Sequence, residues 1–471
     1  MDKFLKILFS FLIIISHLSC TVPSKLKPVK KDLDQIIKTG KIIAITGYNP
    51  YSYFIYKGQP MGYDYELVKK FADALHLKVD FLIERDINSM FNMLNNGKGD
   101  IIAYNLTVTN ERTKRVAFSH RLRIERQVLV QRRPKNWRRM KIHNIESKLI
   151  RSPLDLEGKT IYIEKGSSYR MRLEHLMDEI GGKINIIEAD SSLTTDDLIK
   201  MVADGKIKYT VADEDVGRLN QAYYTNIDVK TYISFPQKIA WAVRKNSPKL
   251  LDTLNWWIDK SKKEVDFYAI YKKYFTDRQA FRKRIKSEYF SFTGGKISQY
   301  DELIKKYAKQ LGWDWRLLAS LIYQESQFNP KAKSWAGAVG LMQLIPVTAK
   351  KYGAKNPYDP KQSLTAGFRY LKRLDKFWSK YIKDKTERTK FVIASYNIGF
   401  GHILDARKLA EKYGANPDVW DNNVEKFLLK KSEPKYYNDS VVKNGYCSGI
   451  ETVDYVRQIF DRYNHYKRFI S

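Results

Sequence analysis

The chain has 471 residues, 43% hydrophobic and 13% aromatic. That excludes a disordered polymer and exceeds what one hydrophobic core organises, so two or three domains are expected. Its 84 Lys and Arg outnumber 52 Asp and Glu, a formal net charge of +32; the excess favours an anionic partner (nucleic acid, a phospholipid surface or an acidic wall polymer) or only solvates the surface.

In chain order, Lys3 and Lys6 precede the short apolar run "ILFSFLIIISHLSC", which ends at Cys20. A basic flank and an apolar stretch too short for a bilayer span read as an export signal over residues 1–20. Export argues against nucleic acid as a partner. Cys20, after Leu18-Ser19, resembles the acylated cysteine of a bacterial lipoprotein, although His17 departs from the usual lipobox. Thr21 and Val22 follow it, with no aspartate to signal inner-membrane retention. The expectation is a periplasmic lipoprotein anchored to the outer membrane through lipid. Acylation of Cys20 leaves Cys447 alone and allows no intrachain disulfide. Residues 21–31, "TVPSKLKPVKK", read as a basic tether.

Alternation of strand and helix follows. "KIIAITGY", "LKVDFLI" and "DIIAYNL" are apolar strands, and "YELVKKFADAL" and "INSMFNMLNNGKG" have helical spacing. After a basic interruption, Arg132–Lys148, the alternation resumes: "DLEGKTIYIEKGSS" is a turn, a strand and a loop that opens a helix. "KYTVADEDVGRL" gives a strand and a helix start, and "KIAWAVRKNSP" one more strand. The pattern predicts mainly parallel sheets in two α/β lobes, the chain returning to the first. The basic interruption fits a membrane or wall contact, or a solvated loop.

Residues 279–297 read as a linker. From residue 298 the segments are helical, among them "QYDELIKKYAKQLG", "WRLLASLIYQES", "QSLTAGFRYLKRLDKFW", "TERTKFVIASYNIG" and "VDYVRQIFDRYNHY", several closed by Gly. An all-α domain over 298–471 is expected. Glu325 ends one such helix behind Leu317, Leu318, Leu321 and Ile322. A carboxyl against apolar surface holds its proton to higher pH and can serve as a general acid. "SWAGAVG" allows close backbone approach, Gln343 can both donate and accept, and Tyr396-Asn397 precede another Gly.

Glu325-Ser326, "SWAGAVGLMQL", "ASYNIG" and "ETVDYV", in this order, resemble the soluble lytic murein transglycosylase domain, with its goose-lysozyme-like fold. The resemblance implies Glu325 as catalytic acid and base. It implies glycan contacts at Ser326, Ser334, Gly340, Met342, Gln343, Tyr396, Asn397, Glu451 and Tyr455, with Tyr396 touching the acid. Ordinary glycosidases use two carboxylates. The resemblance gives the catalytic part to one, Glu325, and Asp359 and Asp375 fall outside the matching segments as expected surface charges. The substrate then supplies the nucleophile, and peptidoglycan strands are cut to 1,6-anhydro ends. Two other readings stay open, a helical domain that holds glycan without cutting it and a hydrolase with a hidden second acid.

Residues 32–278 resemble the family 3 extracellular solute-binding domain through "GYNPYSYFIYKGQPMGYDYEL", "GKGDIIAYNLTVTNERTKRVAFS", "DLEGKTIYIEKGSS" and "YTVADEDVG". The resemblance implies an α/β, two-lobed periplasmic-binding-protein-like fold. It implies that Thr107 and Arg112 clamp a ligand carboxylate, Ser168 adds a donor and Asp213 holds an ammonium, with Tyr48 and Tyr51 as walls. An amino acid or wall peptide is the expected ligand. No cofactor is expected, and the seven His have no metal-ligand spacing.

Overall fold

The computed structural model describes residues 29–470. The expected export signal, Cys20 and most of the expected tether lie outside the described residues. Contacts divide the chain into two compact units. One holds the chain up to Tyr53 together with Gly62–Arg278; the other holds Phe54–Met61 and Gln279 onward.

The first unit has two lobes, each built on one sheet. Strands β1 (Lys41–Thr46), β4 (Lys78–Ile83), β5 (Ile101–Thr107), β6 (Ala117–Phe118), β7 (Arg123–Glu125) and β13 (Gln237–Val243) form the first, in the order β4-β1-β5-β13-β6, with β7 also on β13. β1 runs parallel to β4 and β5. The Ile-rich β1 and β5 are almost wholly buried, as strands covered on both faces must be. The second sheet has the order β10-β9-β11-β8-β12. Its strands are β8 (Gln127–Arg132), β9 (Thr160–Ile163), β10 (Asn185–Glu188), β11 (Tyr209–Asp213) and β12 (Ile227–Tyr232).

Both sheets are mixed rather than mainly parallel. The chain enters the second lobe through β8 and returns through β13, so each sheet takes in a crossing strand. β8 is antiparallel to β11, and β13 to β5. Residues 132–148 fold as a short 3-10 turn, Trp137–Arg139, and a helix, Ile142–Glu146. The Arg133 and Arg138 guanidiniums lie 4.5 and 5.4 Å from the Trp137 ring centre.

The second unit is helical apart from one hairpin. Helix Trp315–Ser326 buries Leu317, Leu318, Ala319, Leu321 and Ile322, and helix Lys385–Ile398 buries Phe391 through Tyr396 without a polar face. Helix Ile450–Phe469 closes this core with Tyr455, Val456 and Ile459. The hairpin is β2 (Phe54–Tyr56) paired with β3 (Gln59–Met61). Ile55 and Ser291 exchange bonds of 2.9 Å, Lys57 N donates to Tyr289 O at 3.0 Å, and Tyr466 Oη donates to Gly58 O at 2.5 Å. Sequence reading left residues 54–61 with the solute-binding domain and took 279–297 as a linker. Instead, helix Arg278–Ile285 opens that stretch, Phe281 and Phe290 are fully buried, and the Phe54 and Phe290 ring centres are 5.1 Å apart. The apolar residues are spaced singly among basic ones, which hid this core from a linear reading.

Gly58 has φ +77°, and a Cβ there would meet the Phe328 ring at 2.7 Å and Tyr466 Oη at 2.9 Å. The left-handed backbone alone costs an alanine about 1 kcal/mol, before any ring moves. Gly58→Ala is expected to lower the melting temperature of the helical unit by at least about 2–4 °C in scanning calorimetry. An unchanged transition would contradict the packed hairpin.

Candidate functional site

Glu325 stands in the last turn of its helix, half-buried, and the Tyr455 hydroxyl donates to its Oε1. Burial pushes the carboxyl up from its ordinary 4.5 to about 7, against the Tyr455 bond, which favours the ionised form. Among the described residues no other carboxylate and no cation shifts it. Asp359 caps helix Pro360–Trp378 by accepting from Gln362 N at 2.8 Å, and Asp375 pairs with Arg388 at 3.0 Å. Past Ser326 the chain reverses through Gln327 (φ 50°) and Phe328 (φ 60°), both left-handed without glycine. Such backbone is costly and clusters at functional sites.

The tyrosine that bonds the acid is Tyr455, not Tyr396. Tyr396 Oη donates to the Met342 carbonyl at 2.6 Å, which ties helix Lys385–Ile398 to the Gly-Leu-Met-Gln turn. Tyr396 still lies near enough for the Glu325 charge to oppose its ionisation. Ser326 is buried and donates to Ile322 O at 3.2 Å, a bond back into its own helix. The Met342 side chain is 1% exposed in the core, where a Cβ on Gly367 would meet its Cγ at 2.6 Å. These two were expected on a groove surface; what they offer instead is packing. Gly340 has φ +76°, and a Cβ there would strike Pro357 O at 2.0 Å, so only glycine fits. Gln343 Nε2 donates to Ala332 O and Gly340 O at 3.1 and 2.9 Å and staples the loop. Ser334 Oγ accepts from Ala338 N at 3.0 Å and closes the turn. Asn397 is exposed, its Oδ1 accepting from Thr452 Oγ1 at 2.7 Å, and Glu451 is exposed in the first turn of the last helix. Trp335, on the Ser334–Ala338 turn, is fully exposed. Sequence reading passed over it as one of the filler positions in a small-residue loop.

A second site lies between the lobes of the first unit. Tyr51, Thr107, Arg112, Ser168 and Asp213 line a cavity of about 20 Å³, joined by Tyr104, Asn105, Glu164, Tyr169 and Thr195. Thr107 ends β5 and Asp213 ends β11, the carboxyl ends of strands where open α/β sheets bind ligands. Arg112 is buried and donates to Thr107 O at 3.0 Å and, across the cleft, to Gly166 O at 3.1 Å. Burial draws its pKa down. Ser168 Oγ donates to Thr107 Oγ1 at 3.1 Å and accepts from Gln127 Nε2 at 3.0 Å. Burial raises Asp213 to about 6, opposed by Arg123 and by Asn105, whose Nδ2 donates to Oδ2 at 2.5 Å. Tyr48 is not on the cavity wall. It is buried with the Arg85 guanidinium 5.7 Å from its ring. Asn49 Oδ1 accepts from Tyr51 N and Ser52 N, and this tight turn separates the two tyrosines. Glu164 was legible only as the end of a strand.

The fold and the two sites define a class: a two-lobed solute receptor joined to a lysozyme-like helical domain with one buried acid. A family model for bacterial extracellular solute-binding proteins, family 3, matches residues 41–277, and one for the transglycosylase SLT domain matches 302–419. A membrane-bound lytic murein transglycosylase F of Desulfosudis oleivorans is 34% identical over 439 residues, covering 93% of this chain and 92% of that one. One of Pseudomonas fluorescens is 32% identical over 440 residues, covering 93% and 85%. The structure of holo ArgBP from T. maritima is 23% identical over 51% of this chain and 98% of that one, with a TM-score of 0.42. The chain belongs to the family of membrane-bound lytic murein transglycosylase F.

Because folding raises the Glu325 pKa from 4.5 to about 7, its contribution to stability falls as pH rises through that window. Glu325→Gln is expected to match the parent near pH 4.5 and exceed it at pH 8 by up to about 3 kcal/mol, read by denaturant unfolding. Tyr455→Phe removes the bond that favours the carboxylate. It should move the carboxyl titration upward by about one unit in carbon-13 NMR; a downward move would contradict the geometry.

Proposed function

We propose that the helical unit breaks the β-1,4 bond between N-acetylmuramic acid and N-acetylglucosamine and leaves 1,6-anhydro ends, with Glu325 as its acid and base. The chain is a peptidoglycan lytic transglycosylase with an N-terminal solute-binding domain. The observation that carries the bond-level reading is Glu325 itself, half-buried with its carboxyl desolvated, bonded by Tyr455 and, among the described residues, shifted by no second carboxylate.

Protonated Glu325 donates its proton to the glycosidic oxygen as the C1–O bond breaks. The N-acetyl group of the muramic acid stabilises the oxocarbenium-like centre at C1. Glu325, now a carboxylate, takes the proton of the C6 hydroxyl as O6 bonds to C1. The acid is restored and no water is consumed. Asn397, Gln343, Ser334 and the exposed Trp335 are the groups we assign to the glycan.

Digestion of sacculi followed by mass spectrometry tests this. The parent protein should release anhydro ends, and Glu325→Gln should fall by at least about a thousandfold while keeping its fold. Reducing ends would mean hydrolysis with a second acid, and absence of products a glycan-holding module.

The same reading gives the cleft an amino acid or wall peptide, its carboxylate on Arg112, Thr107 and Ser168 and its ammonium on Asp213. A planar guanidinium suits a carboxylate in two-point contact. The covering peptides of the wall bring both groups, so we infer that cleavage products regulate the enzyme. Arg112→Ala should abolish binding and any ligand dependence of the lytic rate; parent rates equal with and without saturating ligand would remove the regulatory reading. We further place the chain in the cell envelope, attached through acylated Cys20 and facing the periplasm from the outer membrane. Among the described residues no helix is long and apolar enough to cross a membrane.

A further inference from the structure

The cleft holds one more acid than an α-amino acid requires. Arg112 and Thr107 on one lobe and Asp213 on the other account for a carboxylate and one ammonium. Glu164 is left over. It directly follows β9, and Asp213 ends β11. These strands are parallel neighbours, with Thr210 opposite Tyr162. The two carboxyl groups therefore leave adjacent strand ends of one rigid lobe, and both line the cavity, 7% and 4% exposed.

Each acid has bonding capacity left over. Asp213 Oδ2 is held by Asn105, but Oδ1 is buried with no hydrogen-bond partner among the described residues. Glu164 Oε2 accepts from both Thr195 N at 3.2 Å and Thr195 Oγ1 at 2.5 Å, bonds that leave Oε1 unused. Tethering Thr195 needs one oxygen and no charge, so a glutamine would serve it equally. Arg112, the cation in the wall, donates to carbonyls and not to either acid. Burial lifts Glu164 to about 7 and Asp213 to about 6, so above neutrality both are charged. The Arg112 charge acts on both acids and Arg123 on Asp213, but neither guanidinium bonds them, so a ligand cation bonded to each carboxylate would be favourable.

We propose that Glu164 is a specificity-determining residue that selects a ligand with a second cationic group, a diamino monocarboxylate or a short peptide with a free amine and a basic side chain. The proposal rests on the reading of the cleft as an amino-acid site. Tyr51, Tyr104 and Tyr169 wall the cavity and provide rings for an aliphatic stem and its terminal cation. At about 20 Å³ the cavity admits one water-sized group, so the lobes part for a larger ligand. The spacing of Glu164 and Asp213 survives that movement because both stand on one lobe.

Calorimetric titration of the full chain at pH 8 with L-lysine and L-norleucine isolates the second cation, since the two side chains have the same four-carbon length. Lysine should bind at least about tenfold more tightly, the worth of one charge-assisted bond. Glu164→Gln should bring the lysine-to-norleucine ratio within about threefold. In the parent protein the lysine advantage should fade as pH falls below about 7 and Glu164 gains its proton. Equal affinities in the parent, a ratio unchanged in E164Q or a ratio independent of pH would overturn the proposal. Binding of neither probe to the parent would overturn the amino-acid reading as well.

Discussion

A carboxyl group removed from water either keeps its proton or finds a cation, and the sites of both units are built on that constraint. At Glu325 the carboxyl is desolvated, its hydrogen-bond partner is the neutral Tyr455 hydroxyl with Tyr396 nearby, and among the described residues no cation shifts it. The result is a proton held to about pH 7. In the cleft the same burial acts on Glu164 and Asp213, but here Thr195 and Asn105 donate to the groups and the Arg112 and Arg123 charges bear on them. Those interactions favour the ionised forms against the pull of burial.

The scaffold brings these groups out at the ends of rigid elements. Asp213, Thr107 and Glu164 sit at or next to strand termini, where the backbone is fixed by the sheet and the side chain is free to face the cleft. Glu325 sits at a helix terminus that Gln327 and Phe328 turn back sharply in left-handed backbone. The hairpin β2–β3 braces that reversal, since the Gly58 tip packs within reach of Phe328, Tyr323 and Tyr466. The chain enters the hairpin only three residues after Tyr51, which lines the cleft.

Much of this was legible in the sequence wherever the signal is local. The Ile-rich runs of β1 and β5, the Gly-closed helices and the apolar face beneath Glu325 all carry their periodicity in a few consecutive residues. The failures share a different cause, since each depends on what lies opposite. Tyr396 and Tyr455 are both tyrosines of the recognised pattern, and only the approach of helix Ile450–Phe469 decides which hydroxyl reaches Oε1. Ser326 and Met342 look like groove residues in a linear pattern but turn into the core. Tyr48 and Tyr51 are separated by the turn at Asn49, and Glu164 gains meaning only beside Asp213 across a strand pair.

A single carboxyl serving as both acid and base faces two opposing demands. As an acid it must be protonated before the glycosidic bond breaks, and as a base it must accept a proton from the C6 hydroxyl in the next step. A group with its pKa far above the working pH would hold its proton but surrender it poorly; one far below would start each cycle ionised. Burial and the Tyr455 bond move Glu325 in opposite directions, and their balance near 7 leaves both steps open at neutral pH. A second carboxylate close by would upset that balance, because two like charges in a shared site drive their pKa values apart. On the proposed mechanism, the lack of another acid shifting Glu325 among the described residues is therefore part of how one side chain would perform both steps, with the sugar as the nucleophile.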